Sequence, residues 1–156
     1  MTNKFLHSTF YILHSILAAV CSLVVLDIFT KWLAKNYLSQ PIEIIPQFFQ
    51  LVLSFNKGIA FSIPIPNAAM IFLTPLLAAA LIWLIIKNCS PEKRATKFCM
   101  IFIAAGAIGN FINRLWTGAV IDFLDFSFWP SFNLADAYLT IGALLLIIFY
   151  GKIKKT

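Results

Sequence analysis

The sequence predicts an all-α integral membrane protein with four transmembrane helices, both termini in the cytoplasm, and a small β-rich cradle in the first outer loop. Three observations predict this fold class. Of the 156 residues, 61% are hydrophobic and only 12% are charged, whereas a soluble domain carries about 25% charged residues. The apolar residues form four long uncharged runs. The charges between these runs differ in sign from one side of the bilayer to the other.

This composition excludes several classes of protein. A globule of this size cannot bury so much apolar surface, so the excess must face membrane lipid. The low charge excludes a disordered chain, and three cysteines are too few for a disulfide scaffold. The net charge of +6 is divided among separate loops and does not form one basic face, so we expect no nucleic-acid partner.

The first span is predicted at residues 8–28, most of which belong to an uncharged run of 22 residues at 5–26. A helix needs about 20 such residues to cross the hydrocarbon core. The outer loop that follows, 31–67, contains two segments rich in β-branched and aromatic residues, 42–45 and 48–55. Proline and glycine punctuate both segments, so we expect short strands there.

The second span is predicted at residues 68–86, after Pro64 and Pro66, and Pro75 should kink it. It leads into a compact cytoplasmic loop at 87–97. Four spans place eight basic residues and one acid on the side that carries both termini, against four basic residues and five acids on the other. By the positive-inside rule the first side is cytoplasmic, and the chain forms a single membrane domain over 1–156.

The third and fourth spans are predicted at 98–114 and 135–151. Their uncharged stretches are only 16 and 15 residues long, so Arg114 and Asp136 should be drawn to the edge of the hydrocarbon. The outer loop between them, 115–134, is apolar and aromatic, which is typical of a segment at the membrane interface. The loop and the two short spans therefore place polar groups at the outer edge of the bundle.

Polar residues in or beside the spans need an explanation, because an ionisable group at a helix centre costs about 2.5 to 3.5 kcal/mol on insertion scales. If four short helices pack as a bundle, these residues converge near the outer interface. The set comprises Asp27, Asn56, Asn110, Asn113, Arg114, Asp122, Asp125, Asn133 and Asp136.

The residue types in this set favour one kind of chemistry. The only histidines, His7 and His14, fall near the opposite face, which excludes nucleophilic triads, and no metal-ligand spacing occurs. We therefore expect no metal and no cofactor. Two aspartates in a partly dry site share one proton, and such a pair can hydrolyse a peptide by general acid and base catalysis. The residues alone leave open which aspartates pair, or whether Arg114 simply forms a salt bridge with one of them.

Five short sequence blocks bear on the question of which aspartates pair. Together, in their order and spacing relative to four spans, they resemble lipoprotein signal peptidase, the type II signal peptidase of bacteria. The blocks are DIFTK at 27–31, NKGIAFS at 56–62, GAIGNFINR at 106–114, GAVIDF at 118–123 and FNLAD at 132–136.

The resemblance implies an aspartic endopeptidase of the bacterial cytoplasmic (inner) membrane with its site near the periplasmic or extracellular face. Such an enzyme cleaves the signal peptide from diacylglyceryl-modified prolipoproteins, on the N-terminal side of the lipidated cysteine. By motif position, Asp122 and Asp136 are the catalytic pair, whereas Asp125 matches no catalytic position. The expected substrate-binding or dyad-supporting residues are Asp27, Asn56, Asn110, Arg114 and Asn133.

The same positions have simpler explanations as helix caps or loop anchors, and Asn133 is the strongest capping candidate. The chain departs from many relatives at Ile28, where they have glutamine, and at Asn113, where aspartate is common. The second departure predicts a different partner for Arg114, either a backbone carbonyl or a dyad carboxylate.

The resemblance also implies that the segment 123–132 is a mobile lid over the site. The rival functions are a small transporter or channel and a non-catalytic protein that binds lipoprotein precursors. The sequence leaves the oligomeric state open, and we expect a monomer.

Overall fold

The computed structural model describes residues 2–58 and 66–155, with side chains from residue 13 onward except that of Asn67. The predictions that concern residues 59–65, including Pro64 and much of the 56–62 block, lie outside the described residues, as does the side chain of His7.

Four long helices dominate the described part of the chain. Each contains a segment that is long and apolar enough to cross a membrane, which confirms the four predicted helices. Their bounds are α1 at Thr2–Tyr37, α2 at Asn67–Asn88, α3 at Arg94–Thr117 and α4 at Leu134–Ile153.

The third helix, α3, packs against each of the other three helices. Its approach to α4 is close because two glycines face the opposing helix. A Cβ atom on Gly142 would lie 2.8 Å from the Cγ1 atom of Ile103, and one on Gly106 would clash with the Ala135 carbonyl. These glycines let the backbones approach, so that the N-terminal end of α4 lies directly beside the last turns of α3.

The first helix is longer than the sequence predicted. The outer loop was expected to begin at residue 31, but α1 continues to Tyr37. Lys31 is only 2% exposed and forms an ion pair with Asp27 one helical turn earlier. Because the two charges compensate each other, α1 can continue past Lys31. The helix ends at Tyr37, shortly before Pro41, and proline cannot continue a helix because it has no backbone N–H.

A four-stranded antiparallel sheet covers one end of the helices, and its strands follow the order β1-β2-β3-β4. The two strands of the first loop confirm the strands expected at 42–45 and 48–55. The bounds are Ile42–Ile45 for β1, Phe49–Asn56 for β2, Val120–Phe126 for β3 and Trp129–Phe132 for β4.

The second outer loop contains a β-hairpin that the sequence did not predict. Residues 115–134, which were expected to lie at the membrane interface with a mobile lid at 123–132, contain the β3–β4 hairpin of the same sheet. The interfacial position and the lid stay predictions. The aromatic and β-branched residues that indicated an interface are also typical of strands. Pairing with β2 and packing against α1 bury the first half of β3.

A single glycine lets the chain turn from α3 into β3. Gly118 adopts a left-handed backbone conformation with φ at 72°, and its N–H donates to the Arg114 carbonyl over 3.1 Å. A residue with a Cβ pays a steric penalty in this conformation. The turn brings β3 back over the ends of α1 and α3, here called the sheet end of the bundle.

Candidate active site

Except for Asp125, the polar residues singled out in the sequence gather at the sheet end of the bundle, together with Lys31. They come from five elements that are far apart in the chain, so only the folded chain brings them together. Asp27 and Lys31 come from α1, Asn56 from β2, Asn110, Asn113 and Arg114 from α3, Asp122 from β3, Asn133 from the cap of α4, and Asp136 from its first turn.

Asn133 connects Asp122 to Asp136. Its Nδ2 atom donates to Oδ1 of Asp122 over 2.6 Å, and its Oδ1 atom accepts from the Asp136 N–H over 3.0 Å. In return, Oδ2 of Asp136 accepts from the Asn133 N–H at 3.4 Å, which completes a capping box at the start of α4. The capping role expected of Asn133 is therefore present, and the same side chain also contacts a second aspartate.

Asn56 supports the other oxygen of Asp122. Its Nδ2 atom donates to Oδ2 of Asp122 over 3.1 Å, while its Oδ1 atom accepts from the Gly58 N–H over 3.0 Å. Asn56 pairs with Val120 in the sheet, two positions from Asp122, so both side chains lie on one face. Asp122 thus receives an amide hydrogen bond on each of its two oxygens.

A second line of contacts leads from Asp136 into α1. Oδ1 of Asp136 accepts from Nδ2 of Asn110 over 2.8 Å, and Oδ1 of Asn110 accepts from the Lys31 ammonium over 2.9 Å. The same ammonium donates to Oδ2 of Asp27 over 2.8 Å. Asp27 and Lys31 are 0% and 2% exposed, so this ion pair is buried, and loss of either partner would leave an uncompensated charge.

Asp27 also caps α4 from outside that helix. Its Oδ1 atom accepts from the Ala135 N–H over 2.9 Å, one of the donors that a helix leaves unpaired in its first turn. A carboxylate at this position also complements the helix dipole. The contact requires Gly109 on α3, because a Cβ atom there would lie 2.5 Å from Oδ2 of Asp27.

The electrostatic environment of Asp122 differs from that of an ordinary surface carboxyl. Burial raises the pKa of Asp122 from 3.8 to about 6, and repulsion by the Asp136 carboxylate acts in the same direction. The amide hydrogen bonds from Asn133 and Asn56 and the charge of Lys31 partly oppose this rise. Asp122 is therefore a carboxyl group that can hold or release a proton close to neutral pH.

Arg114 anchors the loop after β2. Its Nη2 atom donates to the Gly58 carbonyl over 3.1 Å, which confirms the backbone carbonyl that was expected as one possible partner. Within residues 2–58 and 66–155 the Arg114 guanidinium forms no ion pair within 4.0 Å, and Nε has no hydrogen-bond partner. The described residues therefore show no salt bridge from Arg114 to Asp122 or Asp136.

Two further residues belong to the site but were not selected from the sequence. Lys31 was counted only as a loop charge, although its spacing of four from Asp27 on a helix could have revealed the pair. Asn113 was counted among the polar residues near the outer interface and noted as a departure from relatives, but it was given no role in the site. Its Oδ1 atom accepts from the Ile121 N–H over 2.6 Å and so anchors β3 next to Asp122.

Asp125, which matches no catalytic position in the sequence blocks, lies apart from this cluster. It is three positions after Asp122 on β3, and side chains at odd spacing lie on opposite faces of a strand. Its Oδ2 atom accepts from Nε2 of Gln50 over 2.6 Å on the neighbouring strand. Asp125 therefore provides a matched control for substitutions of the other aspartates.

The described residues contain no group of three or more histidine, cysteine, aspartate or glutamate side chains placed to hold a metal ion. The cluster instead offers two carboxyl groups joined through Asn133, with amide donors on both. Such a pair can share a proton, activate water and protonate a leaving group.

Comparison with known proteins shows the family of this chain. The family model described as signal peptidase (SPase) II matches residues 19–151. The chain belongs to the signal peptidase II family. The matched range includes α2 and α3 in full, parts of α1 and α4, and all four strands, and therefore every side chain of the cluster. Members of this family are membrane aspartic peptidases.

Individual relatives are similar over most of their length. The chain is 40% identical to the lipoprotein signal peptidase of Caldanaerobacter subterraneus over 144 residues, 86% of this chain and 97% of the relative. It is 42% identical to that of Francisella tularensis subsp. novicida over 137 residues, 80% and 84% of the two chains. A solved structure described as a bacterial membrane enzyme at 2.3 Å superposes with a TM-score of 0.71 at 31% identity, covering 89% of this chain and 88% of the other.

Proposed function

We propose that this signal peptidase II family member cleaves the signal peptide from diacylglyceryl-modified prolipoproteins, with Asp122 and Asp136 as its catalytic pair. The cut is on the N-terminal side of the lipidated cysteine. The observation that carries the assignment is the connection of these two aspartates through Asn133 at one end of four apolar helices. The relatives named as lipoprotein signal peptidases support the substrate class.

The charges of the cluster favour a pair that holds a single proton. Asp27, Asp122 and Asp136 contribute three negative charges, and Lys31 and Arg114 contribute two positive ones. One proton on the aspartate pair makes the sum zero. A net charge at a site with little water is costly, so the singly protonated pair is the favoured resting state. The proton belongs to the pair and not to either residue alone.

This state has both groups that peptide hydrolysis requires. The ionised carboxylate takes a proton from water as the water oxygen attacks the scissile carbonyl carbon, while the protonated carboxyl polarises the carbonyl oxygen. The tetrahedral intermediate then collapses as the carbon–nitrogen bond breaks, and the leaving amine receives a proton from the pair. The amides of Asn56, Asn110 and Asn133 hold the carboxyl groups in place throughout.

The position of the pair suits a lipidated substrate. Acyl chains keep the modified cysteine at the membrane, so a peptidase that acts beside this cysteine needs its carboxyl groups near the membrane interface. We place the sheet end at the outer face of the bacterial cytoplasmic membrane and both termini in the cytoplasm. The support is the excess of basic residues in the α2–α3 loop and at the two termini.

The assignment is tested by cleavage in lipid. The protein is reconstituted with a diacylglyceryl-modified prolipoprotein, and loss of the signal peptide is followed by mass spectrometry. Asp122→Asn and Asp136→Asn are compared with Asp125→Asn, and thermal unfolding confirms that each variant folds. We expect the first two variants to be inactive and the third to cut as wild type does. Cleavage by either of the first two variants would overturn the assigned pair, and an inactive wild type would overturn the peptidase function.

A further inference from the structure

Lys31 is a buried cation that the proposed chemistry uses only in the charge balance of the cluster. It lies on α1 with 2% of its side chain exposed, and its ammonium donates to both Asp27 and Asn110. Burial of an ammonium is costly, and the Asp27 carboxylate alone would compensate its charge. The second contact, to Asn110, is the one that leads to the site, because Asn110 in turn donates to Asp136.

The contact fixes which way the Asn110 amide faces. An asparagine side chain has an oxygen that only accepts and a nitrogen that only donates, and the two are almost the same size. With Oδ1 towards the ammonium, Nδ2 faces Asp136 and forms a hydrogen bond to a carboxylate oxygen over 2.8 Å. The flipped amide would set Nδ2 against the ammonium and Oδ1 against the carboxylate, so that two donors and two acceptors face each other.

We propose that Lys31 is a positioning residue of the peptidase site, which locks the Asn110 carboxamide in the orientation that donates to Asp136. This inference rests on the proposed role of Asp136. Lys31 acts through Asn110 and does not contact the substrate. Its ion pair with Asp27 holds the ammonium in place, and Asp27 is itself fixed by the Ala135 N–H at the start of α4. The donated hydrogen bond stabilises the carboxylate of Asp136 that activates water.

The first test separates rate from binding. Lys31→Met removes the ammonium and keeps a long apolar stem, and Lys35→Met makes the same change at an exposed position one turn later on α1. We expect Lys31→Met to lower kcat roughly 10- to 100-fold with KM within about twofold of wild type, as for a misplaced catalytic group. Lys35→Met should retain the wild-type kcat. A wild-type kcat in Lys31→Met, or a change confined to KM, would overturn the proposal.

The second test asks whether Lys31 acts through Asn110. In an Asn110→Ala background the amide is absent, so Lys31→Met should lower kcat by no more than about twofold further. An equal loss in both backgrounds would show an independent effect and overturn the proposal. If Lys31→Met does not fold because Asp27 is left unpaired, the pair Asp27→Asn and Lys31→Met removes both charges and keeps an acceptor for the Ala135 N–H. The same comparisons then apply to this double variant.

Failure of the Lys31 proposal can be distinguished from failure of the catalytic assignment. If Asp136→Asn is inactive and Lys31→Met keeps its kcat, the pair stands and only the role of Lys31 fails. If Asp136→Asn cuts normally, the catalytic assignment fails whatever the Lys31 variants do.

Discussion

Nδ2 of Asn133 donates to Oδ1 of Asp122 over 2.6 Å, and both residues are buried. Asn133 caps the N-terminus of α4, and Asp122 lies in β3. The Asn133 side chain therefore joins the helix that carries Asp136 to the strand that carries Asp122. The distance between the two carboxyl groups therefore depends on a residue that also caps a helix. Substitutions of Asn133 can separate its role as a helix cap from its contact with Asp122.

We predict that Asn133→Ser and Asn133→Ala differ in stability but not in activity. Serine accepts from the Asp136 N–H as an N-cap but is too short to reach Asp122, whereas alanine does neither. Asn133→Ala should lower the free energy of unfolding by about 1 kcal/mol relative to Asn133→Ser. Both should lose most of their peptidase activity. Thermal unfolding and the cleavage assay measure the two effects, and wild-type activity in Asn133→Ser would contradict the prediction.

We predict that Asp122 makes the folded state less stable as the pH rises. Its pKa is about 6 in the folded protein against 3.8 for an ordinary aspartate, so the folded state binds the proton more tightly. The stabilisation is complete below about pH 4 and is lost as the pH rises through about 6. Asp122→Asn should remove this part of the pH dependence.

Melting temperatures of wild type and Asp122→Asn, measured from about pH 4 to about pH 8, test this prediction. The difference between the two proteins should change as the pH rises from about 4 through about 6 and level off at the alkaline end of this range. Parallel curves would show that Asp122 has an ordinary pKa. With wild type, kcat/KM should also fall on the alkaline side, because the free enzyme then loses the proton that the pair shares.

We predict that Gly109→Ala disrupts the site although position 109 carries no polar group. The added Cβ would lie 2.5 Å from Oδ2 of Asp27 and 3.3 Å from the Cβ of Ala135, so Asp27 must move. Its bonds to Lys31 and to the start of α4 would be strained, at a cost of roughly 1 to 3 kcal/mol. Melting temperature and cleavage rate should both fall.

Gly151→Ala is the matched control. It lies on α4 with no atom within 4 Å of an added Cβ, and alanine is the better helix former. Its melting temperature should be unchanged or slightly higher, with wild-type activity. If Gly109→Ala behaved in the same way, Asp27 would not depend on the close approach of α3.

The secondary structure was predictable where the length of an apolar run or the residue composition of a short segment fits only one element. Four apolar runs predict four helices because the hydrocarbon core sets their length, and the punctuated segments at 42–45 and 48–55 predict strands. The β3–β4 hairpin was not predictable, since aromatic residues suit both an interface and a strand. Its pairing with β2 joins residues about 70 positions apart, as Ser54 with Asp122, and no local pattern encodes such a partner.

The sequence by itself determined that this chain is a membrane protein with polar groups at one end of four helices, because charge and hydropathy are properties of the residues alone. Its blocks also indicated the family and the two aspartates. Only the tertiary structure decided what surrounds them. Lys31 proved to be buried beside Asn110, and Arg114 to bind a backbone carbonyl in place of a carboxylate. Hydrogen bonds are short and directional, so partners from different elements are fixed only when helices and sheet pack together.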